Sequence, residues 1–330
     1  MADNPNVVNI APAEAGAPAM RVAPESKGFK ASLYGSDEPL PKEFVELIQK
    51  LELELEMPIW MIVHDGDGKW GDINYLIYEA FHGAKGQIEE KKPVGLLLHS
   101  WGGLAEYAYK IVRLFQRRTE KLTLIVPCHA KSAATIMALG GNSILMGRDA
   151  ELGPLDVQIY DTEHEEYDSA LNAVQSLERL NAYALTALDQ VMVMLAQRTG
   201  KKTDVLLPIA AEYATNMFKP LVEKIDSVSL TKKWRDLKVA EDYAVRLMKE
   251  AGYPYSTAKR IANSLVEDYS THGFVIDRSE SAAFERTSRD ETFGLGLKIG
   301  EAKPSTELVF DALIPHLAKV TAIGRIEEIQ

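Results

Sequence analysis

The stretch PCHAKSAATIMALGGNSILMGRDAELGPLDVQ, residues 127–158, decides the fold. It starts where the apolar run LTLIV of residues 122–126 ends. Lys131-Ser132-Ala133-Ala134 then leads into a short run of small residues with helical spacing. A serine at a strand-to-helix junction lies near the positive end of the helix dipole, beside backbone N–H groups that no intrahelical carbonyl satisfies. That is good ground for a nucleophile; a helix cap is the bland alternative.

A nucleophile that attacks a carbonyl needs donors for the oxyanion. Upstream, LLLHSWGG at residues 96–103 reads as another buried strand, ending in paired glycines before a helix. Glycine lets backbone N–H groups approach a substrate, so Gly102 or Gly103 could supply one donor and Ala133, the residue after the serine, another. The two turns together resemble the Clp-fold serine peptidases, in which one strand ends in a Ser-Pro-Gly-Gly turn and the next at the nucleophile serine. Trp101 stands where that turn carries proline. The AKSAAT segment followed by ELGPLDVQ resembles more specifically the serine dehydrogenase proteinase family, relatives of the signal peptide peptidase A group. The resemblance covers about residues 43 to 300 and implies a peptidase, not an oxidoreductase.

Working outward, residues 42–55 carry Phe44, Leu47, Ile48, Leu51 and Leu55 at helical spacing, and residues 59–63 read as a buried strand. Helix is expected over about 73–87 and 104–118, strand over 94–98, 122–126 and 143–146, and a short helix over 133–139. Alternation of this kind indicates right-handed βαβ crossovers and a mainly parallel sheet, with ligands at the carboxyl ends of the strands. Residues 168–198 lack Gly and Pro and carry two apolar stripes, one through Leu177, Leu180 and Ala184 and one through Leu185, Leu188 and Met192. One stripe suits the parent domain and the other a second subunit. Helices continue through 204–269, with breaks near Asp226 and Gly252.

The expected fold is therefore α/β, ClpP/crotonase-like, with a parallel sheet and a helical carboxyl-terminal extension. Its parts are a flexible tail at 1–40, the nucleophile-bearing core at 41–165, a helical extension at 166–300 that completes the site and carries oligomer contacts, and a helix and tail at 301–330. Composition fits: 46% of residues are hydrophobic and 26% charged. A formal charge of −11 argues against a nucleic-acid surface. One cysteine, Cys128, excludes an intramolecular disulfide and suits a reducing compartment. Neither a signal peptide nor an apolar run of membrane-spanning length is visible, so a cytoplasmic protein is expected. The Asp65-Gly66-Asp67-Gly68 run lacks the remaining ligands of a calcium loop, and no metal, nucleotide or other cofactor is implied.

A serine needs a base within hydrogen-bond reach, and the sequence alone does not identify one. The family resemblance implies the order Ser, Asp, His, which assigns Asp156 of GPLD and His272 of THGF to a triad with Ser132. His129, three residues before the serine, and Lys131, beside it, are alternative bases. The resemblance implies an ATP-independent serine endopeptidase acting on peptides or unfolded proteins as a homo-oligomer. The rivals are a catalytically silent peptide-binding scaffold and a crotonase-like acyl-CoA enzyme, which shares the two-turn oxyanion hole.

Overall fold

The computed structural model describes residues 28–35, 39–64, 66, 68–155, 158–161, 166–269, 271–282, 286–287, 290–291 and 294–329. The first elements among the described residues are β1 (Phe29–Ala31), β2 (Tyr34–Gly35), α1 (Lys42–Leu55) and β3 (Ile59–Val63). Next come α2 (Tyr75–Gly83), β4 (Pro93–His99), α3 (Ala105–Arg118) and β5 (Lys121–Val126). The serine region comprises β6 (His129–Ala130), α4 (Ala133–Ala138), β7 (Ser143–Met146) and β8 (Glu151–Leu152). A hairpin of β9 (Gln158–Asp161) and β10 (Glu166–Ser169) leads to four helices: α5 (Ala170–Thr199), α6 (Thr203–Val222), α7 (Ser227–Glu250) and α8 (Tyr255–Glu267). β11 (Ile276–Asp277), α9 (Arg278–Ala282), β12 (Arg286–Thr287) and β13 (Asp290–Glu291) follow. The last elements are α10 (Pro304–Leu317), β14 (Ala322–Gly324) and β15 (Ile326–Glu328).

The central sheet runs β2-β14-β3-β4-β5-β7, and β3, β4, β5 and β7 are parallel. Both faces of these strands are buried, which is why IWMIV and GLLLH read as continuous apolar runs. The period of two divides them. Trp60, Ile62, Leu96, Leu98 and Leu124 face a core completed by α2, α3, α4, α7 and α8, whereas Met61, Val63, Leu97 and Ile125 face α1 and α10. Trp60 anchors the first core, its ring centroid 5.9 Å from those of both Phe81 and Phe115.

Three differences from the sequence reading have structural causes. α2 begins at Tyr75, not at residue 73, because Ile73 is held in a bridge to Gly103 and the Asn74 side chain caps the helix by accepting from the N–H groups of Leu76 and Ile77. Asp168 belongs to β10 and pairs with Ile159, so α5 starts two residues later. The ends of the chain also enter sheets: β14 adds antiparallel to β3, β2 pairs with β14, and β1 pairs with β15. Pairing partners so distant in sequence leave no local signature in either segment.

Candidate active site

β5 ends at Val126, the chain bends through Pro127 and Cys128, and β6 carries it to Lys131. Ser132 then occupies the N-cap position of α4 with φ 48° and ψ −118°. This left-handed conformation is unfavourable for any residue with a Cβ. Although Ser132 sits where a cap would, its side chain makes no capping hydrogen bond. Its backbone carbonyl accepts from the Ile136 N–H at 3.2 Å, so the helix starts normally while the hydroxyl is left to the cleft. The Ala133 N–H is among the N-terminal donors that an α-helix cannot satisfy internally. α4 itself is six residues long and wholly buried.

The glycine turn meets this serine directly. A Cβ added to Gly102 (φ 120°) would stand 2.8 Å from Ser132 Cβ and 3.2 Å from the Ala133 nitrogen, so only glycine fits. Gly103 (φ 138°) crosses Ile73 equally closely, a Cβ there falling 2.4 Å from the Ile73 oxygen. The bridge uses the Gly102 carbonyl, which accepts from Ile73 N–H, and the Leu104 N–H, which donates to Ile73 O, both at 2.8 Å. Gly103's own N–H therefore points to the other side. The Gly102 N–H donates to Ser100 Oγ at 3.0 Å. The turns are also laced through the backbone: Lys131 N–H donates to Ser100 O at 3.0 Å.

Thr135, on the first turn of α4, braces the serine turn against residues 153–155. Its hydroxyl lies 2.7 Å from Ala130 O, 2.9 Å from Gly153 O and 3.1 Å from Gly153 N, so it both donates and accepts. The Leu155 N–H then donates to Leu265 O of α8 at 2.8 Å. Asp156, the next residue, lies outside the described residues, as do Asp65 and Asp67.

His272 arrives from the segment between α8 and β11, and it lines the same cleft as Ser132. β11 anchors that segment by pairing antiparallel with β8, Ile276 opposite Leu152 and Asp277 opposite Glu151. Lys131 anchors it again. Its side chain is 5% exposed, and its Nζ reaches Glu151 Oε1 at 2.9 Å, Phe274 O at 3.2 Å and Leu152 O at 3.3 Å. Three donors thus meet three acceptors, an arrangement that suits an ammonium held as a clamp. His129 is turned into the interior, between His99 and Trp101, with ring centroids 4.0 Å and 4.2 Å away. Burial lowers its pKa to about 4, Glu151 opposing the shift and Lys131 adding to it.

The cleft encloses about 1080 Å³. Gly103, Lys131, Ser132, Ala133, His272 and Gly273 line it, and Trp101, Leu104, Ile136 and Val239 supply apolar wall. Carboxylates of Asp72, Glu106, Glu151 and Asp236 also line it. Of these acids, Glu151 was the functional group hardest to see in the sequence, since nothing in a separation of twenty residues marks it as the partner of Lys131.

Parallel strands feeding two apposed turns, one with paired glycines and one with a strained serine, define a ClpP-like α/β fold. The chain belongs to the ClpP-like SDH-type serine proteinase family, which it matches over residues 79–257. Two uncharacterized proteins of Methanocaldococcus jannaschii are 36% identical over 70 residues and 37% identical over 68 residues. Each match covers 21% of this chain and 24% of the relative, so the chain spans about a quarter of the length of these relatives. Among solved structures, a serine-to-alanine variant of the 1510-N membrane-bound stomatin-specific protease is 20% identical at a TM-score of 0.28, covering 48% of this chain and 70% of that one. A lysine-to-alanine variant of the same protease with a substrate peptide has 19% identity and a TM-score of 0.27, over 48% and 65% of the two chains. A peptidase of Plasmodium falciparum has 17% identity and a TM-score of 0.26, over 49% and 87%.

Proposed function

We propose that the protein is a serine peptidase that hydrolyses peptide bonds in the cleft above β5 and α4, with Ser132 as nucleophile and His272 as its base. One observation carries this reading: Ser132 holds a strained backbone at a helix start and yet does not use its hydroxyl as a cap. Strain of this kind costs about 1–3 kcal/mol and persists where function requires it.

In the proposed cycle, Ser132 Oγ attacks the substrate carbonyl as its proton passes to His272, and the carbonyl oxygen becomes the oxyanion. The N–H groups of Gly103 and Ala133 receive that charge; Gly102 is the weaker candidate because its N–H is already spent on Ser100 Oγ. Protonated His272 then gives its proton to the leaving amine, and water releases the acyl group by the same steps in reverse. Asp156 is proposed to hold the imidazole in the right tautomer, since it follows Leu155, whose backbone is tied to α8, the helix that precedes the His272 segment. Lys131, with its donors on three acceptors, has the geometry of a clamp and not of a base, and His129 is packed away from the cleft. The helical hairpin of α5 and α6 is proposed to mediate homo-oligomerisation, and the substrate to be an extended or unfolded peptide.

The test is intact-mass analysis after a fluorophosphonate probe at pH 7.5. One adduct on the parent protein, none on Ser132→Ala and a rate at least about 100-fold lower on His272→Ala is the expected result. Labelling that survives in Ser132→Ala overturns the nucleophile. Unchanged labelling in His272→Ala overturns the base, and no labelling of folded protein favours a silent peptide-binding scaffold.

A further inference from the structure

Behind the cleft, three side chains outside the proposed catalytic set come together. His99 is the last residue of β4 and Cys128 lies two residues beyond β5, so adjacent parallel strands bring their ends side by side. On a regular strand Cys128 and His129 would face opposite ways. The bend between β5 and β6 turns both to one side, where a sulfur and one imidazole nitrogen from each histidine lie within 4.8 Å of one another. Among the described residues, this is the one such cluster of three His, Cys, Asp or Glu side chains.

We propose that His99, Cys128 and His129 form a binding site for a thiophilic transition-metal ion of the zinc class. The geometry is near that of a bound state. Cys128 Sγ is 3.6 Å from His129 Nδ1, and a tetrahedral zinc with ordinary sulfur and nitrogen bonds sets that edge at about 3.6 Å. The cluster is also shielded from bulk water, His99 being 4% and His129 7% exposed. The rings of His99 and Trp101 fix the plane of His129, so the ligand is already oriented. Two nitrogens and one sulfur with no carboxylate among them select zinc, cobalt(II) or copper(I) over magnesium or calcium. Half-buried Cys128 gives the ion a way in, and the three ligands leave a fourth position for water or another donor.

The site does not depend on Ser132 being a nucleophile. None of its three ligands lines the cleft; His129 meets the cleft through the ring of Trp101, which sits between Ser100 and Gly102 of the glycine turn. Metal occupancy would stiffen that turn through the indole.

The test uses tag-free, full-length protein stripped with a chelator and titrated with cobalt(II), followed by absorption spectroscopy. Expected are one equivalent bound, visible bands of tetrahedral cobalt, and a near-ultraviolet thiolate-to-cobalt charge-transfer band. Cys128→Ser should lose the charge-transfer band and weaken binding at least tenfold while its circular dichroism is unchanged, and His129→Gln should weaken binding comparably. No charge-transfer band at excess cobalt overturns the proposal, as does an identical spectrum from Cys128→Ser. Zinc competing the cobalt signal away confirms the class of metal.

Discussion

Ser132 concentrates the conflict between stability and chemistry in one residue. Its φ of 48° and ψ of −118° are comfortable only for glycine, whereas its proposed role needs a hydroxyl. Ser132→Gly is therefore expected to abolish probe labelling and to stabilise the fold by about 1 kcal/mol, the relieved strain being partly offset by glycine's greater entropy when unfolded. Ser132→Ala keeps the Cβ and the strain, and should unfold at the parent's urea midpoint. Equal midpoints for the glycine and alanine variants would show that the backbone is relaxed there. None of this was legible in the sequence: AKSAAT reads as a strand-to-helix junction with a serine in it, and the φ of that serine is dictated by the close approach of Gly102 and by Thr135 tying α4 to Gly153. The glycine pair was more informative, because close approach of two backbones is what glycines after a strand commonly signify.

At the scale of elements, α7 and α8 are joined on one flank by a charge cluster. Glu241 of α7 is 7% exposed and accepts from Lys238 of its own helix and from Lys259 of α8, the latter at 2.8 Å. Burial alone would raise its pKa, but the hydrogen bonds from Lys238 and Lys259 outweigh burial and hold it below the usual carboxylate value. The folded chain thus binds this proton less readily than the unfolded chain. Its stabilisation is complete above the unfolded pKa of about 4.5 and is lost as the pH falls through the depressed folded value. Glu241→Gln should cost about 1–2 kcal/mol at pH 7, the lysines being partly in water, and much less at pH 3. Urea denaturation at the two pH values checks this; an equal loss at both would assign the effect to packing. The helices themselves were readable from the sequence, because α8 buries Ala258, Ile261, Ala262 and Leu265 at helical spacing. The β9–β10 hairpin was not, since its few residues carry no turn signature strong enough to outweigh the helical pattern that follows.

For the molecule as a whole, the α5–α6 hairpin stands out among the described residues for the apolar side chains it leaves exposed. Among its exposed apolar side chains are Tyr183, Leu185 and Val193 on α5 and Ile209, Tyr213 and Met217 on α6. Among described residues of α6, only Leu206 and Ala210 are buried. The two stripes read in the sequence of α5 have this outcome: the hairpin buries part of its apolar surface internally and leaves the remainder open. If that surface mediates self-association, Leu185→Glu combined with Ile209→Glu should shift the mass measured by analytical ultracentrifugation to the monomer, with circular dichroism unchanged. A parent protein that sediments as a monomer at tens of micromolar would refute the oligomer. The acids lining the cleft make a related expectation for substrates: peptides with lysine or arginine beside an apolar residue should be cleaved faster than acidic ones, and added salt should narrow the difference.

The placement of β14 between β2 and β3 also governs how the protein is made. Strand β3 (Ile59–Val63) leaves the ribosome long before its antiparallel neighbour at residues 322–324 is synthesised. Until then the apolar strand IWMIV has one bare edge, and an edge of that kind is a template for pairing with other nascent chains. A ribosome stalled after Ser132 but before β14 would therefore hold a chain with the serine and glycine turns already translated and the sheet still open. Translation through β14 is a precondition for closing this sheet, and the growing chain is the form that exposes an edge a chaperone would cover.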